Sequence, residues 1–223
     1  MRKLFKNLGQ VLRSAANLIR LRYEMLLPES TRWGITQRRY QEWADSPIDE
    51  KYLDYVVERG KEFSCFVGNY KRLVDAGCGN GYIGGKTYAE IGYSPLKPVG
   101  YVLGIDPLPM KVKPPWVTEY RQARVEDCAE LILEGGFDKA IIVTSLDHFE
   151  NPLQALKALT PCRELCLWGT TYKLEATPDL YHIHRFTFPQ LRHLLVEAGW
   201  MLLETVKVDE NDCSRGWFIR AQV

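Results

Sequence analysis

The chain predicts an α/β fold built on a parallel sheet covered on both faces. Three observations carry that expectation. From Lys71 onward, short apolar segments alternate with helix-patterned ones, the order that places parallel strands between crossover helices. The run Leu73-Val74-Asp75-Ala76-Gly77-Cys78-Gly79-Asn80-Gly81 ends an apolar strand in a carboxylate and three alternating glycines. Glycine lets another molecule approach the main chain without a Cβ in the way, and nucleotide-type ligands bind at such turns. Finally, 223 residues, 46% apolar and 26% charged, suffice for one sizeable soluble domain with an appendage.

In chain order, residues 1–27 place Leu4, Phe5, Leu8, Val11, Leu12, Ala15, Leu18 and Ile19 at helical spacing, with Arg2, Lys3, Lys6, Arg13 and Arg20 mostly on other faces. Such a basic amphipathic helix suits an anionic membrane surface or a partner; the alternative is packing on its own domain or on a second copy of the chain. Residues 31–70 read as a second helical piece bearing Trp33, Tyr40, Trp43 and Tyr52, with a helix start signalled by Ser46-Pro47 before Asp49-Glu50. Strands are expected near 72–76, 101–106, 117–122, 138–143 and 163–169. A helix from Tyr82 to Ile91 is expected directly after the glycines, and 92–101 as a surface loop. Phe188 to Gly199 is an amphipathic helix stopped by its glycine. Residues 200–208 and 216–223 read as two closing strands around the turn-rich Asp209-Glu210-Asn211-Asp212. The expected division is a helical N-terminal extension or lid over 1–70 and a ligand-binding domain over 71–223.

Bulk properties exclude several classes. The formal net charge of +1 makes no overall case for nucleic acid. The charge is uneven, with 14 Lys/Arg against 9 Asp/Glu up to residue 72 and 15 against 19 after it, so a basic front precedes a mildly acidic domain. The six cysteines show no CxxC or paired metal-ligand spacing and read as reduced thiols acting as small hydrophobes; no metal is expected. No run of eighteen apolar residues exists, and Lys6, Gln10 and Arg13 interrupt any secretory core. A cytoplasmic protein, with a peripheral place at the inner face of the membrane as the further option, is the corresponding expectation.

The glycine spacing is Gly-x-Gly-x-Gly, whereas the dinucleotide fingerprint has two residues before its last glycine. Asp75 would repel a pyrophosphate but suits a cationic amine. Asp106 closes the next strand 25 residues beyond Gly81, where a ribose-binding carboxylate falls. Together these favour an adenosine carrying an amino acid over NAD. The segment resembles motif I of class I S-adenosylmethionine-dependent methyltransferases, and the resemblance continues in order. Asp106 matches the ribose carboxylate. Ala123-Arg124-Val125-Glu126-Asp127 lies where members commonly read Gly-Asp-Ala-Glu-Asp beside the adenine. Phe137 to Val143 looks like the fourth strand, Ser145-Leu146-Asp147-His148-Phe149-Glu150-Asn151-Pro152 is similar to the Leu-Glu-His-x-x-x-Pro run after it, and His182-Ile183-His184-Arg185-Phe186-Thr187 resembles a late motif of small-molecule and sugar methyltransferases. Coverage is about residues 70–221. One departure is Arg124, which stands where an aspartate often contacts the adenine amine.

The resemblance implies a Rossmann-like, doubly wound, seven-stranded sheet, mainly parallel with an antiparallel C-terminal hairpin, plus N-terminal helices. It implies S-adenosyl-L-methionine as cofactor, held by Asp75, Gly77, Gly79, Gly81, Asp106, Pro107, Leu108, Val125, Glu126 and Thr144, with Leu108 and Val125 sandwiching the adenine. His148 is the first candidate for a catalytic base, with a structural bond at the start of the next helix as its alternative, and His182, in a loop that faces the acceptor pocket in the family, is the second. Tyr40, Trp43, Tyr172, Tyr181, His184 and Arg185 are the candidates to shape the acceptor pocket. Thr144-Ser145-Leu146-Asp147 replaces the Asn/Asp-Pro-Pro-Tyr-like run typical of amine methylation on nucleobases and glutamine. An oxygen acceptor on a small molecule, sugar or lipid-linked glycan therefore fits better, with nitrogen second. A catalytically silent cofactor-binding scaffold, recruiting a partner through residues 1–27, is the competing expectation.

Overall fold

The computed structural model describes residues 15–16, 19–20, 22–24, 26–97, 99–172, 184–210 and 214–223. Two helices lead: α1 (Glu29–Asp45) and α2 (Glu50–Val67), the second capped by the Asp49 carboxylate accepting from the Lys51 amide. The apolar runs that follow are too short and too continuous for anything but strands buried on both faces. They form β1 (Arg72–Ala76), β4 (Tyr101–Asp106), β5 (Glu119–Gln122), β6 (Lys139–Val143) and β7 (Glu164–Tyr172). Between β1 and β4 lie the two-residue strands β2 (Tyr82–Ile83) and β3 (Lys86–Thr87) and the single turn α3 (Tyr88–Ile91). Helices α4 (Ala129–Gly135), α5 (Pro152–Ala158) and α6 (Phe188–Glu197) separate the later strands, and β8 (Met201–Glu210) and β9 (Ser214–Gln222) close the chain.

Seven strands make one sheet in the order β5-β4-β1-β6-β7-β9-β8. The first five are parallel, and β9 runs antiparallel between β7 and β8. The doubly wound sheet and terminal hairpin are those expected. Strand order reverses beside β1, so the loops leaving β1 and β6 diverge there and open a crevice.

Alternate residues of each strand face opposite layers. Val74, Ile105, Ile142 and Leu167 pack with Ile132, Leu156, Leu191 and Leu195 from α4, α5 and α6. Leu73, Val102, Ile141 and Trp168 pack on the other face with Leu53, Val56, Phe63 and Val67 of α2. Helix α2, which precedes the expected boundary at residue 70, thus covers the sheet directly. It carries no basic residue in its last turn, so its final carbonyls need partners from outside the helix. The Lys139 ammonium, buried under the sheet, donates to the Val67 carbonyl at 2.6 Å and lies 3.0 Å from a Glu164 carboxylate oxygen. The Arg220 guanidinium donates to the Phe66 carbonyl.

The helix expected from Tyr82 does not form. Gly84 and Gly85 both have positive φ, 62° and 74°, which makes the two-residue turn of a hairpin and folds Tyr82–Thr87 into the β2–β3 ribbon. Helix begins only at Tyr88, behind a capping box of Thr87 and Glu90. Of the expected helix over 1–27, the described residues 15–16, 19–20 and 22–24 are helical and 26–27 form the turn that ends it, and Glu24 pairs with Arg20 and with Arg39 of α1; the other residues of 1–27 lie outside the described ones. No described helix is long and apolar enough to cross a membrane.

Lys139→Met should destabilise the fold by about 1–3 kcal/mol, the cost of leaving the buried Val67 carbonyl without its donor. Urea unfolding of the two chains measures it, and an unchanged midpoint would remove Lys139 from the α2 cap.

Candidate functional site

The crevice is built from the carboxyl ends of β1 and β4. Asp75 on β1 sits in register with Gly104 on β4, and Asp106 ends β4 two residues on. Both side chains are buried, 1% and 6% exposed. Asp106 accepts the Gly79 amide on one carboxylate oxygen at 2.8 Å and the Leu108 amide on the other at 2.9 Å. It therefore ties the glycine loop to the loop after β4. Asp75 accepts the Trp116 indole N–H on Oδ2 at 2.7 Å, while its Oδ1 is buried with no partner among the described residues. Burial raises the Asp75 carboxyl to about 7, with Trp116 pulling it down and neighbouring Asp106 pushing it up. Asp106 is raised to about 6 by burial, against the two amides that lower it.

The loop itself is clamped. The amides of Lys111 and Val112 donate to the Asn80 carbonyl, both at 3.2 Å. A Cβ on Gly81, whose φ is +92°, would meet the Val112 carbonyl oxygen at 1.8 Å, so only glycine admits this crossing. Helix α1 reaches the same place from the N-terminal side. Asp45 pairs with the Lys111 ammonium at 2.5 Å, the Gln41 carbonyl accepts from the Asn80 amide group at 3.5 Å, and the Ala44 carbonyl accepts the Gly85 amide at 2.8 Å.

From there α1 crosses to the loop after β6. Tyr40 meets the His148 ring edge-on, with centroids 4.6 Å apart, and Trp43 packs against the α2-side core. Thr144 leaves β6 at φ +49°, an outlier for a β-branched residue and a conformation that structures maintain mainly at functional sites. The next residue, Ser145, donates its hydroxyl to the Ala76 carbonyl at 3.0 Å, joining the loops after β6 and β1. Asp147 is buried and central. One carboxylate oxygen lies 3.6 Å from the His148 Nε2, the other accepts the Tyr172 hydroxyl at 3.1 Å, and its carbonyl accepts the His184 amide at 3.0 Å. Arg185 lies over the Tyr172 ring, 4.9 Å from its centroid. Burial lowers the His184 imidazole, which contacts the Glu150 carbonyl at 3.3 Å. With Phe186, Pro189, Gln190, His193 and Leu194, His184 and Arg185 line a groove of about 560 Å³.

The expected site residues thus fall into two groups on either side of the switch point. Asp75, Gly77, Gly79, Gly81, Asp106, Pro107 and Leu108 belong to the β1–β4 side, and Thr144, His148, Tyr172, His184 and Arg185 to the β6–β7 side. Val125 is 1% exposed and its side chain packs within the core, so it does not form the expected sandwich with Leu108. Glu126 accepts the Asn151 amide at 3.1 Å, and Arg124 is paired with Asp127 and Glu150. Tyr181 and His182 lie outside the described residues. Sequence reasoning did not single out Trp116, Asn80, Gln41, Asp45 or Asp147. Trp116 follows Pro114-Pro115 in a loop without periodicity, where no pattern marks a carboxylate partner. Among the described residues no group of three His, Cys, Asp or Glu side chains is placed to hold a metal.

No family model matches the chain, and no curated protein matches it. Solved structures do. The Burkholderia thailandensis 1,6-didemethyltoxoflavin-N1-methyltransferase, crystallised with 1,6-didemethyltoxoflavin and S-adenosylhomocysteine, is 16% identical, with a TM-score of 0.56 over 88% of this chain and 91% of that one. The N-terminal domain of EvdMO1 with S-adenosylhomocysteine bound is 19% identical at a TM-score of 0.51, over 83% and 94%. The chain has the class I methyltransferase fold. The [4+2]-cyclase SpnF is also similar, 14% identical at a TM-score of 0.53 over 76% and 80%, so one architecture serves more than one reaction.

The two raised carboxyls bind protons more tightly in the folded chain than in the unfolded one, where each has its ordinary value near 3.8. Their contribution to stability is therefore greatest in acid and falls as pH rises from about 4 through 6 and 7, by about 1.4 kcal/mol for each pH unit of displacement. Guanidinium unfolding at pH 5 and pH 8 should show this decline. Asp75→Asn should flatten it; an equal decline in the variant would place the effect elsewhere.

Proposed function

We propose that the chain is an S-adenosyl-L-methionine-dependent methyltransferase acting on an oxygen, with nitrogen second, of a small molecule, sugar or lipid-linked glycan. One observation carries the cofactor: two buried carboxylates flank a glycine loop at the switch point, and Asp75 retains a buried oxygen without a partner. An isolated buried carboxylate is costly, and an ammonium group is the ligand chemistry that offsets the cost. A pyrophosphate would add negative charge beside both. The residues present therefore fit an amino-acid-bearing nucleoside.

When bound, the sulfonium supplies a methyl carbon already activated for displacement. The chain's residues position it. Asp75 faces the ammonium and the backbone of Gly77–Gly81 accommodates the amino-acid end. Each Asp106 oxygen already accepts one amide but keeps a lone pair, enough for the two ribose hydroxyls. Pro107, Leu108, Glu126 and the Val125 backbone border the base. Holding donor and acceptor in line is worth roughly 7–11 kcal/mol. His148 takes the acceptor's proton, a contribution of about 10²–10⁴-fold, and Tyr40 sets one wall of its surroundings. Tyr172, His184 and Arg185 shape the acceptor side, together with Trp43 and Tyr181. His182 is the second choice of base. A lipid-linked acceptor would give the basic segment 1–27 a purpose at a membrane surface.

Asp106→Ala should weaken S-adenosylmethionine binding about 10- to 100-fold, as expected for one or two charge-assisted hydrogen bonds. Calorimetric titration reads it, and an unaltered dissociation constant would take Asp106 out of the site. His148→Ala should cut S-adenosylhomocysteine formation with a pool of hydroxylated acceptors by about 10²-fold or more while cofactor affinity holds. Parallel loss of both would make His148 structural, and binding without turnover from any acceptor pool would return the scaffold reading.

A further inference from the structure

We propose that Trp116 is a positioning residue for the ligand's ammonium group: its indole N–H fixes one oxygen of Asp75 and so presents the other to a cation. The identity of the ligand rests on the methyltransferase reading above; the hydrogen bond and the burial do not. An indole nitrogen only donates, so the 2.7 Å bond from Trp116 to Asp75 Oδ2 favours the charged carboxylate and orients it. Trp116 is itself held in place. It is 4% exposed, stacked on Tyr88 at 5.2 Å and met edge-on by Tyr93 at 5.4 Å. The Val117 amide closes a turn on the Pro114 carbonyl, and the Thr118 amide joins the Val102 carbonyl of β4. The indole therefore reaches Asp75 from a rigid corner rather than from a free loop.

Among the described residues Asp75 has no positive partner of its own. The titratable groups around it are Asp106, Cys78, Tyr70, Tyr88 and Tyr93. Burial pushes the thiol and the phenols above their ordinary values, so at neutral pH they are uncharged and Asp106 adds only negative charge. Against burial, which raises the Asp75 carboxyl most, and against Asp106, Trp116 is the group that favours its ionised form. Without that bond the carboxyl would keep its proton to higher pH and could not pair with an ammonium near neutrality.

The test titrates the full chain calorimetrically with S-adenosylhomocysteine, which carries the amino-acid end, and with 5′-methylthioadenosine, which lacks it. Trp116→Phe should weaken the first about tenfold and leave the second within about twofold. Added to Asp75→Asn, it should weaken S-adenosylhomocysteine no further, because both changes act on one interaction. No change with either ligand, or equal weakening of both, overturns the proposal. A second readout needs no ligand. The indole N–H proton resonance of Trp116 in the wild-type chain should titrate with the Asp75 carboxyl, at about pH 7, and stop doing so in Asp75→Asn. A pH-independent resonance, or a titration that survives the substitution, also overturns it. A wild-type chain that binds neither ligand overturns the methyltransferase reading instead, a result distinct from any specific to the Trp116 variant.

Discussion

The site depends on one unfavourable arrangement: two carboxylates buried side by side where adjacent parallel strands end. Asp106 is stabilised in place by two backbone amides, one of them from the glycine loop. Among the described residues Asp75 has a single donor and one oxygen without a partner. Like charges in a low-dielectric pocket raise each other's affinity for protons or cations, and the folded chain carries that cost in its free state. Nothing in the packing of the sheet requires it. Leu73 and Val74 just before Asp75 are fully buried apolar residues, and an apolar side chain at 75 would continue their pattern. A local rule broken at a crevice, with no compensating structural gain, is the feature on which the proposed cofactor site rests.

The glycine loop owes its shape to neighbours more than to its own sequence. Its middle is bonded to the segment after β4 through the Asn80 carbonyl, and its end is overlaid by the Val112 carbonyl at Gly81. Helix α1 adds contacts from Gln41 and Asp45 and then passes Tyr40 to His148. One helix thus touches both walls of the crevice. Its exposed pairs contribute little stability singly.

Much of this was legible in the sequence because it follows from periodicity. The five parallel strands, the closing hairpin and α6 are set by apolar runs bounded by glycine and charge. The spacing of Asp75, the glycines and Asp106 places them at neighbouring strand ends once the strands are accepted. The helix expected at Tyr82 failed for a local reason: the paired glycines at 84 and 85 encode a hairpin turn, and a two-residue strand is too short for any periodic signal. Trp116, Asn80 and Asp147 were illegible for a different reason. Each acts through a contact spanning tens of residues, Trp116 to Asp75 and Asp147 to Tyr172 among them, and only the assembled sheet brings those partners together.

The likeness to both methyltransferases and a [4+2]-cyclase shows that the parallel half of the sheet does not choose the reaction. In this chain the region after β6 and β7 lies beside the glycine loop at the carboxyl end of the sheet. There Asp147 binds the Tyr172 hydroxyl and the His184 backbone and lies beside His148, so a single buried carboxylate ties together the loop after β6, the end of β7 and the segment before the last helix. Thr144 stands at the entrance in a strained conformation that its neighbours hold. Strain and a buried polar hub thus stand together after β6, beside the hydroxyl of Ser145 that ties this loop to β1. A surface that merely closed the sheet would need neither.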